Sequence, residues 1–551
     1  DGFSRITPIV VFLPGSVDDA TLPPADDPAA TLKTSSPVLL VEAGTKTLVP
    51  ILAENDLHAP IDAMRTLLIR PLRALKPKAG YVVILTNRLK NKAGEAHQAN
   101  PAVRTLLDGT PTAVDAIERQ RKAFVVVNQT IAKLGIAKED VVLAWSFHTR
   151  SEEQVTGPLL SMQDQAMAWK LGPYTLDEDT VDADKNRQVV GSYTVPNFIS
   201  PEGIIVLDDQ GVPKQFGEKK TVLHLTIPDS IDGPRPIILY GHGFLGSSKE
   251  GTRGSYNKLC REHRFSSIGS FFGFNDQMTT KALTILTSDL GNVAQIDADV
   301  LQTFVNYTVL GRLVREKLAA EISKTVAGKT INPIDADRVY YMGISNGGTF
   351  GYVVAATQPK LSRAVMVVGG GGLVHFLQRS VVWNGYQPFI DVVFKENAIN
   401  AQLAFAILQT GLDPIEPMNY VSRLVENRFP GRESMQAALH MAVNDSQVDN
   451  LVSEWVFRTA KVPMITPSPK PIWGVDTIIA PPPDGAPKGT KAALFVYDEH
   501  LLPSPSGNVP PSTDNHAHNS VRKLVAYETQ VAEFLETGRF IQVCSGACDP
   551  D

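Results

Sequence analysis

The chain has 551 residues, of which 43% are hydrophobic, 20% charged and 7% aromatic, with a formal net charge of −6. That length calls for more than one domain, and that apolar share supports a full core, so wholesale disorder is excluded. No apolar run is long enough to span a bilayer, and 58 acidic against 52 basic residues leave no cationic excess to neutralise phosphates, so neither a transmembrane helix nor nucleic-acid binding is expected.

The 41 glycines and 39 prolines are scattered without period and mark many turns. The chain starts at Asp1 with no basic-then-apolar leader, as a processed or trimmed form would.

In chain order, the first third reads as β-rich. Strand-like runs are Pro8–Leu13, Pro37–Val41, Thr66–Ile69 and Tyr81–Leu85, separated in part by Asp/Pro/Ala connectors such as Leu22–Ala30. A helix is predicted next, with Thr110 as cap, Pro111 in its first turn and Gly135 at its end. A buried strand, Val141–Phe147, follows. Residues 1–150 therefore form the expected β-rich module, and residues 151–220 the expected transition segment.

From Thr221 strands and helices alternate, which predicts an α/β domain over 221–551 with a parallel sheet. Its candidate strands are Thr221–Ile227, Pro236–Tyr240, Ser267–Phe272, Arg338–Met342, Ala364–Val368, Ala437–Val443 and Ala492–Tyr497. A helix is predicted over Leu301–Ile322. A long stretch at about 373–430, rich in aromatics such as Trp383, Phe389 and Phe405, is too long for a connection. It is expected to form a helical cap with an acyl-binding surface, or else extra core.

The strongest chemical signal is Gly343-Ile-Ser345-Asn-Gly347-Gly348, after an apolar strand and before a helix-like run ending at Ala356. G-x-S-x-G in strand–turn–helix context is a nucleophile elbow: a turn so sharp that flanking side chains would clash, holding a serine hydroxyl at a helix N-terminus. Upstream, the strand Ile237–Tyr240 runs into Gly241-His242-Gly243-Phe244-Leu245-Gly246. That loop can supply one oxyanion N–H, from Phe244, and Asn346 after the nucleophile can supply the other. His242 itself is expected to be a structural hydrogen-bonder.

A serine needs a base, and the base an orienting acid, in the chain order Ser, acid, His. Asp445, at the end of the strand-like run Ala437–Val443 and in an Asp445-x-x-Val448 turn, is the favoured acid; Asp449 is the rival, and Asp498 lies late. The base should follow the last strand. His518 is favoured over His516 because it stands nearer the final helix, and His500 is a more distant candidate. A divalent cation at Asp18, Asp19, Asp26 and Asp27 would require an EF-hand spacing that this Pro-rich segment lacks.

Together these residues resemble the α/β-hydrolase superfamily, over roughly Thr221 to Val543. The front stretch Leu67–Leu85, with its Pro71, Gly80 and Tyr81, and the turn Lys90–Gly94 resemble bacterial Ig-like sandwich modules. With the cysteine-bearing tail, the whole is similar to large secreted bacterial lipases of the virulence-factor type, surface-exposed lysophospholipases included. The resemblance implies a Ser345–His518–Asp445 triad, ester hydrolysis through an acyl-enzyme, and no cofactor. It also implies a secreted or cell-surface location. An aromatic cap suits an ester with an apolar acyl or polymeric part: lipid, lysophospholipid or polyester. The reading from another class is a surface adhesin, in which the Ig-like module binds and the hydrolase domain is a dead scaffold. Cys544 and Cys548 are either a local disulfide, as an oxidising compartment would favour, or two tail thiols, and Cys260 is expected to be a lone buried thiol.

Overall fold

The computed structural model describes residues 2–549 other than Ala327 and Glu396. The chain divides into two compact units. The first comprises residues 1–155, 382–413 and 505–510; the second comprises residues 156–381, 414–504 and 511–551.

The first unit is a sandwich of two antiparallel sheets. Its strands are β1 (Ile9–Val11), β2 (Val38–Glu42), β3 (Thr47–Val49), β4 (Ile51–Asn55), β5 (Leu67–Pro71), β6 (Gly80–Thr86) and β7 (Val141–His148). One sheet runs β1-β5-β4 and the other β3-β2-β6-β7. Period-two alternation sends Val38, Leu40, Val83 and Leu85 from one sheet and Ile9, Val11, Ile51 and Ile69 from the other into a common core. The opposite face of the second sheet is covered by helices Pro101–Asp108 and Arg121–Leu134, through Leu107, Phe124, Val127 and Ile131.

Gly135 ends the second of these helices in the left-handed conformation, as its sequence position suggested. The helix starts later than expected, however, at Arg121. Thr110 and Pro111 lie in the connection after a separate helix that Asn100 caps and Pro101 opens. Of the four acidic residues considered for a cation, Asp18 caps a short turn by accepting the Ala20 N–H, and Asp19 accepts from Asn55.

Residues 382–413 correct the expected single cap over 373–430. They fold with the sandwich, where Trp383 packs edge-on against His58 and Phe405, and Thr7 Oγ1 donates to Ala406 O at 2.9 Å. Large aromatics found partners there, so only residues 373–381 and 414–430 group with the second unit.

The second unit is built on one eleven-stranded sheet. Its strands are β8 (Tyr174–Val181), β9 (Arg187–Pro196), β10 (Glu218–Ile227), β11 (Arg235–Gly241), β12 (Ser266–Gly269), β13 (Ile334–Ile344), β14 (Arg363–Val367), β15 (Gln436–Ala442), β16 (Met464–Thr466), β17 (Thr477–Ile479) and β18 (Ala492–Tyr497). Their order is β17-β16-β18-β15-β14-β13-β11-β12-β10-β9-β8.

Taken alone, β9 to β15 and β18 follow the order first, second, fourth, third, fifth, sixth, seventh, eighth, with β10 antiparallel to both neighbours and the rest parallel. That is the strand order of the α/β-hydrolase fold. The central strands read as near-continuous apolar runs because helices cover both faces. Val339–Met342, Ala364–Val367 and Ala437–Leu439 are all buried.

Residues 151–220, expected as a transition, carry the helix Glu152–Ala168 and the strands β8 and β9 of this sheet. The β8 sequence is polar because it is an edge strand with most residues exposed. The helix predicted over Leu301–Ile322 begins earlier, at Ala294. It runs to Leu313 before a wider turn over Val314–Leu318. No described helix is long and apolar enough to cross a membrane. Cys544 and Cys548 are joined in a disulfide, and Cys260 is free and buried.

Candidate active site

Ser345 follows the last residue of β13 and caps the helix Asn346–Thr357. Its backbone sits at φ 60° and ψ −118°, a conformation that costs an L-residue about 1–3 kcal/mol and persists only where the surroundings impose it. They do so here. Ser345 N–H donates to Val367 O of β14 at 3.0 Å, and the buried Tyr341 of β13 donates its hydroxyl to Gly347 O at 2.7 Å. The three glycines have steric reasons. A Cβ on Gly343 would strike the Gly347 carbonyl, one on Gly347 the Gly241 carbonyl, and one on Gly348 the Val367 carbonyl. The elbow is therefore pressed onto the C-terminal end of β11, where the His242–Gly246 loop begins.

That loop is held by three groups. Asn346 Nδ2 donates to His242 O at 3.2 Å, joining the residue after the serine to the loop. Glu250 accepts the Gly243 N–H at 2.9 and 3.1 Å and the Tyr240 hydroxyl at 2.8 Å. His242 accepts the Phe272 N–H on Nε2 at 3.0 Å, so its proton is on Nδ1, which donates to Gly243 O at 2.8 Å. The carbonyl of Gly243 and the N–H of Phe244 belong to one planar peptide and point in opposite directions. The imidazole of His242 thereby sets the direction of the Phe244 N–H. Burial holds His242 below its ordinary pKa, which keeps it neutral and able to fill both roles. Among the described residues, the N–H groups of Phe244 and Asn346 carry no assigned bond.

The structure separates the acidic candidates. Asp445 lies three residues beyond β15 and is 2% exposed. Its Oδ1 accepts the N–H groups of Gln447 and Val448 at 2.8 and 2.9 Å, and its Oδ2 lies 2.7 Å from His518 Nδ1. Asp449 caps the helix Asn450–Ala460 by accepting the Leu451 N–H, and burial pushes its pKa up. Asp498 accepts the His500 N–H.

The histidines separate too. The side chain of His516 is 78% exposed, against 3% for His518. His518 opens out of the short helix Ala517–Ser520 beyond β18, and its Nε2 is buried with no hydrogen-bond partner among the described residues. Ser345, Asp445 and His518 thus all follow C-terminal ends of strands in one sheet, and Asp445 and His518 are directly bonded. The structure records no Ser345–His518 hydrogen bond; such bonds commonly tighten only around bound substrate.

Sequence reasoning did not anticipate Glu250 or Tyr341 as supports. Glu250 lies seven residues from the Gly243 it holds, a local spacing that could have pointed to it. Among the described residues, no group of three or more His, Cys, Asp or Glu side chains is placed to hold a metal ion.

No family model matches this chain, and no curated protein does. Solved structures to which part of it is similar include acetyl xylan esterase 1 from Thermoanaerobacterium sp. JW/SL YS485, at 14% identity over 62% of this chain and 87% of that one, with a TM-score of 0.34. Others are the rice cell wall degrading esterase LipA from Xanthomonas oryzae, at 12% identity over 67% and 99%, TM-score 0.33, and a cold-adapted esterase from an Arctic intertidal metagenomic library, at 10% over 67% and 100%, TM-score 0.32. The fold assignment rests on the strand order and the elbow.

Proposed function

We propose that this protein is a serine hydrolase that cleaves carboxylic esters through an acyl-enzyme. The observation that carries the reading is the strained Ser345 between β13 and its helix, together with the buried Asp445–His518 pair behind the same sheet edge. In this mechanism His518 Nε2 takes the Ser345 proton as Oγ attacks the ester carbonyl, and Asp445 fixes the tautomer and stabilises the imidazolium. The N–H groups of Phe244 and Asn346 receive the oxyanion, at the positive end of the helix Asn346–Thr357. His518 returns the proton to the leaving alcohol, and water then releases the acid by the same steps. No cofactor takes part.

The substrate we infer is an ester with an apolar acyl or polymeric part, of the lipid, lysophospholipid or polyester kind. Support comes from the resemblance of the Gly241–Gly246 and Gly343–Gly348 motifs to those of secreted lipases; the aromatic residues of 382–413 fold with the first unit and lend it none. The sandwich supports an Ig-like reading of the front unit. Its β1-β5-β4 and β3-β2-β6-β7 sheets follow the order of an immunoglobulin fold without its first strand. A secreted or cell-surface location is the matching proposal, favoured by the Cys544–Cys548 disulfide.

A panel of p-nitrophenyl esters of rising chain length, with a lysophospholipid and a polyester film, tests the substrate class. Turnover should be lost in Ser345→Ala and should rise with acyl length. Equal or better turnover of acetate than of long acyl chains would reject the apolar-acyl reading.

A further inference from the structure

The acid and the base are 73 residues apart in sequence and arrive on separate loops, so their alignment depends on what joins those loops. Two residues that directly follow Asp445 reach across. Ser446 Oγ donates to Asp514 Oδ1 at 2.8 Å, and Gln447 Nε2 donates to Asp514 Oδ2 at 2.9 Å. Asp514 stands four residues before His518 and also accepts the His516 N–H at 2.9 Å, which closes its own turn. Asn515 adds two further ties: its N–H donates to Ser446 Oγ at 3.1 Å, and its Nδ2 to Asn444 O at 2.6 Å. The residues on either side of Asp445 are thus bonded to the turn that launches His518.

We propose that Asp514 is a positioning residue that sets the register of Asp445 against His518, a role that rests on the hydrolase reading above. Its two carboxylate oxygens receive three donors from two loops, and a charged acceptor makes each bond stronger than a neutral one would. Burial opposes its ionisation, but the bonds from His516 N–H, Ser446 and Gln447 prevail and hold the carboxyl below its usual range. Among the described residues, the one titratable group at ion-pair distance is the exposed His516, 3.6 Å away. An amide in place of the carboxylate would turn one acceptor into a donor facing Ser446 or Gln447, and the two loops would slide apart. A displacement of about 1 Å in such a constellation can cost a hundredfold in rate.

The test compares the full chain with Asp514→Asn, Ser446→Ala and Gln447→Ala. Three quantities are read: the rate of Ser345 labelling by a fluorophosphonate, kcat and KM on a p-nitrophenyl ester, and the acidic limb of kcat/KM against pH. Thermal unfolding reports on folding. Asp514→Asn should lower labelling and kcat on the order of tenfold, leave KM nearly unchanged, and displace the acidic limb of the profile, which reports the essential base of the free enzyme. The other two variants should show smaller effects of the same kind. Wild-type rates and an unmoved limb in a folded Asp514→Asn would overturn the proposal. If that variant does not fold, wild-type rates in both Ser446→Ala and Gln447→Ala would overturn it. A wild-type chain that takes no label would overturn the hydrolase reading itself.

Discussion

His518 Nδ1 lies 2.7 Å from Asp445 Oδ2, with both side chains withdrawn from solvent, while His516, two residues away, points outward. That contrast assigns the two histidines different consequences. His518→Ala or Asp445→Asn should lower kcat/KM by roughly four orders of magnitude, the scale at which an orienting acid acts. His516→Ala should stay within about twofold. Steady-state kinetics on a soluble ester checks both, and a reversed ranking would move the base to His516.

The loop before the helix Gly254–Glu262 offers a second check. His242 directs the Gly243–Phe244 peptide through its Nδ1–H. His242→Ala should therefore lower kcat by about ten- to a hundredfold, below the 10²–10³ cost of deleting an oxyanion donor outright, with KM little changed. Intact kcat in a folded variant would show that the peptide holds its direction without the imidazole.

Glycine at the elbow is a matter of backbone collision. Gly347→Ala places a methyl against the Gly241 carbonyl oxygen at the end of β11, and Gly343→Ala places one against the Gly347 carbonyl oxygen in the helix that follows Ser345. Both should destabilise the second unit by about 3 kcal/mol or more. Gly385→Ala, with open space around its Cβ position, should change stability by less than about 1 kcal/mol. Chemical denaturation of the three variants measures the difference.

A pH dependence of stability follows from His440 on β15. It is fully buried, stacked on Phe495, and bonded through Nδ1 to the Tyr497 hydroxyl, which itself donates to Gln530. Burial lowers its pKa from 6.5 to about 3. The unfolded chain therefore binds a proton between these values that the folded chain refuses, so stability falls as pH drops from 6.5 toward 3. A tenfold change in proton affinity is worth about 1.4 kcal/mol, which makes the contribution a few kcal/mol at most. His440→Phe should flatten the fall of Tm with pH in that window. An unchanged slope would place the acid sensitivity elsewhere.

How much of this was legible in the sequence varies by residue. The elbow was, because backbone collisions dictate glycines at 343, 347 and 348, and these stand between an apolar strand and a helix-like run. The buried strands β11, β13, β14, β15 and β18 were, because strands covered on both faces read as apolar runs. β8 was not. Its sequence, Tyr174 to Val181 with three acidic residues, looks like a loop because the strand lies on an exposed edge. Asp445 was legible as the nearer of two acids beyond Ala437–Val443, but Asp449 lies only four residues on, and the bond of Asp445 to His518 is what separates acid from helix cap. The grouping of residues 382–413 with the sandwich involves contacts such as Trp383 with His58 and Thr7 with Ala406, between segments more than three hundred residues apart, that no local pattern encodes.

The central claim is that Ser345 is a nucleophile activated by His518. Labelling the full chain with a fluorophosphonate and mapping the adduct by peptide mass spectrometry tests it most directly. The account predicts one adduct, on Ser345, abolished in Ser345→Ala and strongly slowed in His518→Ala. A wild-type chain that takes no label, or carries it on another residue, would contradict it.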